Sequence, residues 1–371
     1  MDFKKLTTRF RQFGGFRLMW EYAKLGAILP AVRTAWRFTV HGEWFKVGVF
    51  QCCKEIYGTV ILEKVEPFLE RKYAPVVQGA RLNVHGEKLE HKRSKVIWFC
   101  WLQGLNEAPE IVRVCYHSLT RHLVKVQGYR LQVIDGKNWK EFVKLPEYVV
   151  RKWEKGRIPA ANFSDLLRLE LLIKYGGTWI DSTVLCTGVN ENDNENDNLG
   201  SPDGSKSLKN HQELENGKIS TSNSELKHKM LEYLDADLFL FQYTPEGTTE
   251  GISISNWFIT SCTNNEVLMA VRDMLYAYWK EYDCTIDYYM FHLFFEMVAR
   301  EFPEQVGAMP YGSSQRSIAL MRHWDEPFNQ EQWDRLVSKV AFHKLSHRVS
   351  EEVKNNKDNY YNYIIYDLRT R

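Results

Sequence analysis

The densest apolar stretch of the chain runs from Phe163 to Ile173, and it repeats with a helical period. Apolar residues at 166, 169 and 173 are flanked by others at 167, 171 and 172, so a helix here is apolar on most of its surface and belongs inside the protein. Asn162 and Ser164 are of N-cap type and Asp165 falls in the first turn, where a carboxylate suits the helix dipole. Gly176-Gly177, after Lys174 and Tyr175, is a stop signal. From Thr178 to Leu185 the pattern becomes that of a strand, with Trp179, Asp181, Thr183 and Leu185 on one face.

The same reading extends outward from this segment. Lys95 to Trp101 is a nearly continuous apolar run of strand length, followed by Leu102-Gln103-Gly104 and an acid–proline helix start at Glu107 to Glu110. Tyr129 to Asp135 alternates like a strand and ends in Asp-Gly. Trp139 to Gly156 is helical and of mixed charge, Ile252 to Ile259 is a strand, and Glu266 to Lys280 is a helix. Asp287 to Phe295 reads as a helix with Tyr288, Phe291, His292 and Phe295 in one stripe. Strand–loop–helix units in this order predict an α/β fold with a parallel sheet, whose ligands bind at the strand carboxyl ends.

Two regions depart from the pattern. Residues 1–50 carry nine Lys/Arg against three acids in a chain of formal charge +2, interleaved with aromatics such as Trp20, Trp36 and Trp44 and broken at Gly14-Gly15 and Pro30. Such a surface suits an anionic membrane, or else forms a helical subdomain that packs on the core. The expected organisation is a basic, aromatic-rich helical region over 1–75, a polar joint over 76–94, and a catalytic domain over 90–371. After Val189 the composition collapses to Asn, Asp, Glu, Ser and Gly, which predicts a disordered or lid-like insertion over 190–227. Its acids lack calcium-loop spacing.

Composition narrows the remaining classes. The small net charge gives no electrostatic case for nucleic acid. Seven cysteines without a Cys-x-x-Cys pair fit a reducing compartment. No apolar run reaches the roughly 18 residues of a membrane span, and the N-terminus lacks a signal peptide's apolar core. The expectation is a cytoplasmic protein, peripheral at the inner face of the plasma membrane if residues 1–50 bind lipid.

The candidate chemistry centres on carboxylates. Asp181 sits among apolar and β-branched neighbours, where an ionised group needs a partner or a metal. Asp165 and Arg168, three residues apart, share a helix face and at minimum form an ion pair. Asp135 either holds a ribose or base at its strand end or closes a turn. Asp235-Ala236-Asp237 has Asp-x-Asp spacing but lacks a buried helix and a Gly-Gly turn ahead of it, so it reads as a decoy.

Ser164, Asp165, Arg168, Leu172, Gly176, Gly177, Trp179 and Asp181 fall in one register, S-D-x-x-R-x-x-x-L-x-x-x-G-G-x-W-x-D. This segment resembles the donor site of sugar transferases related to glycosyltransferase family 32, and most of all the capsular polysaccharide synthesis branch. Members of that branch read Asp-x-Thr where the best-known relatives read Asp-x-Asp, and this chain has Asp181-Ser182-Thr183. Further likenesses are I-W-x-x-W-x-x-G at Ile97 to Gly104, S-N-W-F at Ser255 to Phe258, an aromatic stretch ending at His292, and a terminal K-L-(T/S) at Lys344 to Ser346.

The resemblance implies a GT-A-type (Rossmann-like) nucleotide-sugar-binding domain that transfers a sugar with retention of configuration from a nucleotide-diphosphate donor to a lipid-linked or polysaccharide acceptor. Asp165, Arg168 and Asp181 would be catalytic. Trp101, Gln103, Gly104, Asp135, Asn162, Ser164, Trp179, Lys344 and Ser346 would line the donor, and Asn256, Trp257 and His292 the acceptor side. Asp181 with Thr183 would ligate Mn²⁺ or Mg²⁺, which suit hard oxygen ligands. Two other classes remain. A metal-dependent phosphotransferase would use the same carboxylates, yet G-x-x-x-x-G-K-(S/T) is missing. A non-catalytic peripheral membrane scaffold would leave the central segment without a role.

Overall fold

A computed structural model describes residues 15–84, 89–188, 223–243 and 253–367. Its organising element is a five-stranded sheet of β1 (Val96–Cys100), β2 (Arg130–Ile134), β3 (Gly177–Asp181), β5 (Leu238–Gln242) and β6 (Ile254–Ser261), in the order β2-β1-β3-β6-β5. β1 runs parallel to both its neighbours, and only β6 is reversed. Two short strands, β4 (Val184–Cys186) and β7 (Phe342–Lys344), pair antiparallel in a separate ribbon. The α/β class expected from the chain's pattern is the class observed.

β1 is buried throughout, which explains its continuous apolar run. Val96, Trp98 and Cys100 face one core, and Ile97 and Phe99 the other. The first core is filled by the helices Ala160–Tyr175, Glu266–Glu281 and Met290–Glu301, and the second by Glu110–Leu119 and the C-terminal segments around Leu320, Phe342 and Ile364. Trp98 also donates its indole N–H to the Gly176 carbonyl at 2.9 Å, a packing role.

The buried helix Ala160–Tyr175 starts earlier than its cap-type residues suggest. Pro159 stands at the N-cap position, and Ser164 lies inside, its hydroxyl donating to the Ala160 carbonyl at 2.9 Å. A proline at the boundary outweighs Ser164, because a hydroxyl can be satisfied one turn back within a helix. At the other end Gly177 takes φ +90°, and a Cβ there would lie 2.3 Å from the Val96 carbonyl oxygen. Only glycine lets β3 lie this close beside β1.

The run from 178 to 185 is not one strand. β3 ends at Asp181, the chain turns at Ser182 and Thr183, and β4 leaves for the second ribbon. Alternation therefore does not relate Thr183 to Asp181. The 76–94 joint is also shorter than expected, because the helix Glu66–Val84 continues through Pro75. Tyr73 and Val77 on either side are buried in the same core as Tyr278 and Phe294, and that packing offsets the lost helical hydrogen bond. Asn223–Leu234 is a helix with Leu226 buried, so the polar run ends before residue 227. The rest of the expected insertion, 190–222, lies outside the described residues.

Residues 16–60 form the helices Phe16–Lys24, Ile28–Val40, Glu43–Lys46 and Val49–Val60. Ile28–Val40 turns Pro30, Thr34 and Phe38 inward and Leu29, Val32, Trp36 and Val40 outward. Phe16, Met19 and Trp20 of the preceding helix are exposed as well. Among the described residues no helix is long and apolar enough to cross a membrane. All seven cysteines are unpaired.

Candidate active site

Four charged side chains converge where β3 ends. Asp165 and Arg168 come from the buried helix, Asp181 from the last position of β3, and Lys344 from β7. Arg168 Nη1 lies 3.2 Å from Asp165 Oδ1 and donates to the Asn256 carbonyl at 2.6 Å, while Nη2 reaches Asp181 Oδ1 at 3.5 Å. Its guanidinium carbon stands 5.0 Å over the Trp179 ring. The Asn256 amide donates to Asp165 Oδ1 at 3.0 Å, and the Trp179 indole N–H to Asp181 Oδ1 at 2.9 Å. Lys344 Nζ donates to Asp181 Oδ2 at 3.0 Å and to Thr183 Oγ1 at 2.7 Å.

The availability of the Asn256 carbonyl has a local cause. Along β5 the single step from Leu240 to Phe241 lies opposite the four-residue step from Ile259 to Ser255 on β6. Residues 256–258 therefore bulge out of the β5 ladder, which frees backbone groups for side-chain partners. Thr183 and Lys344 meet for an equally local reason, since Val184 pairs with Lys344 and Leu345 N donates to the Thr183 carbonyl at 2.9 Å.

The cluster is asymmetric in solvent access. The Asp165 and Arg168 side chains are each 6% exposed, whereas Asp181 and Lys344 are 26% and 22% exposed. Burial pushes the Asp165 carboxyl up to about 6, with Arg168 opposing and Asp181 adding to the rise. Burial would raise Asp181 as well, but Lys344 and then Arg168 outweigh it, and Asp181 falls below the ordinary aspartate value. Burial, and then the Arg168 charge, lower His292 to about 3, so this imidazole is neutral. Its Nδ1 is buried, and the Tyr289 backbone opposes the fall.

The structure thus gathers Asp165, Arg168, Trp179, Asp181, Thr183, Asn256 and Lys344. Trp101, Gln103 and Gly104 lie on the loop that leaves β1, with the Trp101 ring 5.4 Å from that of His347 and Gly104 at φ +89°. Other expected site residues have structural engagements of their own. Asp135 Oδ1 accepts from the backbone N–H groups of Lys137 at 2.8 Å and Asn138 at 2.9 Å, which closes the turn after β2. Asn162 Oδ1 accepts from Thr285 Oγ1 at 3.0 Å while its side chain also stands beside Asp165, where it favours the ionised carboxylate, and Ser346 Oγ accepts from the Arg348 N–H at 3.0 Å. Trp257 stacks on Phe241 at 4.6 Å in the second core. Asp237 forms a two-pronged pair with Arg93, at 2.7 and 3.0 Å.

One neighbour was not singled out for the site by its sequence position. Tyr288 lies half-exposed ahead of the helix Met290–Glu301, close enough for Asp165 and Asp181 to add to the rise that burial causes in its phenol. The expected helical stripe hid it, because the helix begins after Tyr289.

The two oxygen ligands expected for a metal can be tested against this geometry. Asp181 Oδ1 and Oδ2 and Thr183 Oγ1 all accept N–H donors, and the Lys344 ammonium bridges the carboxylate and the hydroxyl. Among the described residues no group of three His, Cys, Asp or Glu side chains could hold a metal ion. As arranged, the Asp181–Thr183 pair holds the Lys344 ammonium.

Fold and site together define an α/β protein with a charge-balanced cluster at the carboxyl end of its sheet. The model of the capsular polysaccharide synthesis protein family matches residues 59–236 and 220–364, and the chain belongs to that family. No curated protein sequence matches it. Among solved structures it is similar to one titled PaToxG Glycosyltransferase, at 13% identity over 81% of this chain and 96% of that chain, with a TM-score of 0.34.

Proposed function

We propose that the protein is a glycosyltransferase that moves a sugar from a nucleotide-diphosphate donor to a glycan acceptor in surface polysaccharide synthesis. The observation that carries this reading is the partly open Asp181–Lys344 pair seated on the buried Asp165–Arg168 pair, in a member of a capsular polysaccharide synthesis family. Breaking the bond to the anomeric carbon leaves charge on the β-phosphate, and a fixed cation at that point lowers the barrier. Lys344 is the solvent-reached cation of the four. Arg168 engages the Asn256 carbonyl, Asp165 and Asp181 together, and in this reading Arg168 and Asp165 are positioning residues that hold Asp181 and Trp179 in place.

The test is a thermal-shift screen of UDP- and GDP-sugars on the full chain, with and without Mn²⁺, followed by a transfer assay. One nucleotide sugar should stabilise the protein selectively, and Asp181→Asn should lose that response while remaining folded. Stabilisation by nucleoside triphosphates alone would favour a phosphotransferase, and no response to any nucleotide a scaffold.

The acceptor side of the proposal is a lipid-linked glycan reached at an anionic membrane. Leu29, Val32, Trp36 and Val40 of the second helix and Phe16, Met19 and Trp20 of the first are exposed apolar side chains of the kind that insert into a membrane surface. Arg33 pairs with Glu63, and Arg37 lies 3.7 Å from Glu55. Insertion of the aromatic side chains therefore supplies more of the attraction than these arginines do.

A further inference from the structure

We infer that Lys344 is the built-in counter-cation of the donor diphosphate, occupying by its ammonium the point between Asp181 and Thr183 where the motif leads one to expect a divalent metal. The inference rests on the nucleotide-sugar reading above and makes it more specific, since it assigns a cation to the leaving group and a role to the Asp-x-Thr sequence.

The geometry supports it in three ways. First, the ammonium sits 3.0 Å from Asp181 Oδ2 and 2.7 Å from Thr183 Oγ1, so both side chains that a metal would need are its hydrogen-bond acceptors. Secondly, a lysine has three N–H donors. Two point at Asp181 and Thr183, which leaves one for a ligand oxygen, and the side chain is 22% exposed on the open side of the cluster. Thirdly, two carboxylates, Asp165 and Asp181, face two cations, Arg168 and Lys344, so the cluster before a donor binds is balanced without an added ion. A second acidic residue at 183 would add a negative charge there, which an ammonium alone would not balance. A neutral threonine hydroxyl lets one lysine satisfy both positions.

The transfer then balances without a metal. The bond between the anomeric carbon and the β-phosphate oxygen breaks, and its electron pair leaves with that oxygen, which the third Lys344 N–H meets. The acceptor hydroxyl oxygen bonds to the anomeric carbon, and its proton passes to the departing phosphate. Asp181 and Thr183 orient the lysine and do not themselves touch the phosphate.

Calorimetric titration of the full chain with UDP and with GDP, once in EDTA and once in Mn²⁺, tests this. One nucleoside diphosphate should bind in EDTA with an affinity close to that in Mn²⁺. Lys344→Met should weaken it by roughly tenfold or more in EDTA, the loss of one charge-assisted hydrogen bond, while Lys344→Arg retains part of it. In parallel, the electron paramagnetic resonance signal of free Mn²⁺ should be unchanged on adding the wild-type protein without nucleotide. Nucleoside diphosphate binding that requires Mn²⁺, or depletion of free Mn²⁺ by the wild type but not by Asp181→Asn, would overturn the inference and leave the glycosyltransferase reading standing. Both wild-type measurements decide the matter even if the Lys344 variants fail to fold. Absence of binding by either nucleotide in both conditions would overturn inference and reading together.

Discussion

Asp165 and Asp181 flank one guanidinium, yet their proton affinities are moved in opposite directions. Asp165 is sealed in and rises to about 6, while Asp181 has Lys344 as a second cation and falls. The consequences for stability have opposite signs. Below about pH 4 Asp165 is protonated whether folded or not. Between about pH 4 and pH 6 the unfolded chain gives up the proton that native Asp165 keeps, so the native state is penalised progressively, and above about 6 the penalty is constant. Asp165→Asn escapes that penalty, and its stability relative to wild type should grow by up to roughly 3 kcal/mol between pH 4 and pH 7. Urea unfolding at the two pH values reads this directly, and a difference that shrinks with rising pH refutes it. Asp181 contributes stability that is full above the ordinary aspartate range and is lost as pH falls through its own lowered value. Arg168→Lys tests the remaining member. One ammonium cannot span the Asn256 carbonyl, Asp165 and Asp181 as a planar fork does. We expect a folded protein with kcat/KM down by roughly tenfold or more, about 1.4 kcal/mol. Unchanged kinetics would reduce Arg168 to a core ion pair.

Among the elements, the helix–Gly-Gly–strand unit does most to place the site. The helix sets Asp165 and Arg168 one turn apart, Gly176 and Gly177 reverse the chain at φ +64° and +90°, and β3 delivers Asp181 to the sheet edge. Gly177→Ala should cost at least roughly 1–3 kcal/mol from backbone strain alone, with the contact to Val96 added, and should lower the unfolding temperature. An unchanged unfolding temperature would mean that β3 can shift away from β1 without loss. The short β4–β7 ribbon matters as much to the chemistry, because it carries Lys344 back to Thr183 across the length of the C-terminal region. The β6 bulge completes the frame by supplying the Asn256 carbonyl.

At the scale of the whole molecule, the N-terminal helices and the sheet domain are joined through one core, with Val65, Leu69, Tyr73 and Val77 packed in the cluster that includes Trp279 and Phe294. Tyr22, Leu25, Ala27 and Ala31, in and beside the first two helices, pack in or against the same cluster. Replacing Trp20 and Trp36, which are 64% and 68% exposed, by alanine should sharply reduce co-sedimentation with phosphatidylglycerol-containing vesicles. Salt should weaken wild-type binding only in part, since screening acts on the charged component and not on insertion. Vesicle binding untouched by the double substitution would remove these side chains from the membrane proposal.

The sequence by itself determined the elements whose identity is written in local periodicity and local chemistry. These are the buried helix, the glycine reversal, the fully buried β1, the strand β2, and the pairing of Asp165 with Arg168 three residues on. Residues near in sequence meet because helix and strand geometry bring them together. The register that contains Asp181 was legible for the same reason. What only the tertiary structure decided are the meetings between distant segments. Alternation would have put Thr183 beside Asp181 on one strand, but the turn after Asp181 separates them, and Lys344, 163 residues from Asp181, rejoins them. The Asn256 carbonyl is available because of a bulge in β6, and no sequence period encodes that. Whether a carboxylate near a motif faces a cation, a turn or a solvent-filled edge depends on what packs against it. Asp135 in its turn, Asp237 on Arg93 and Asp181 on Lys344 are the same residue type in three different electrostatic settings.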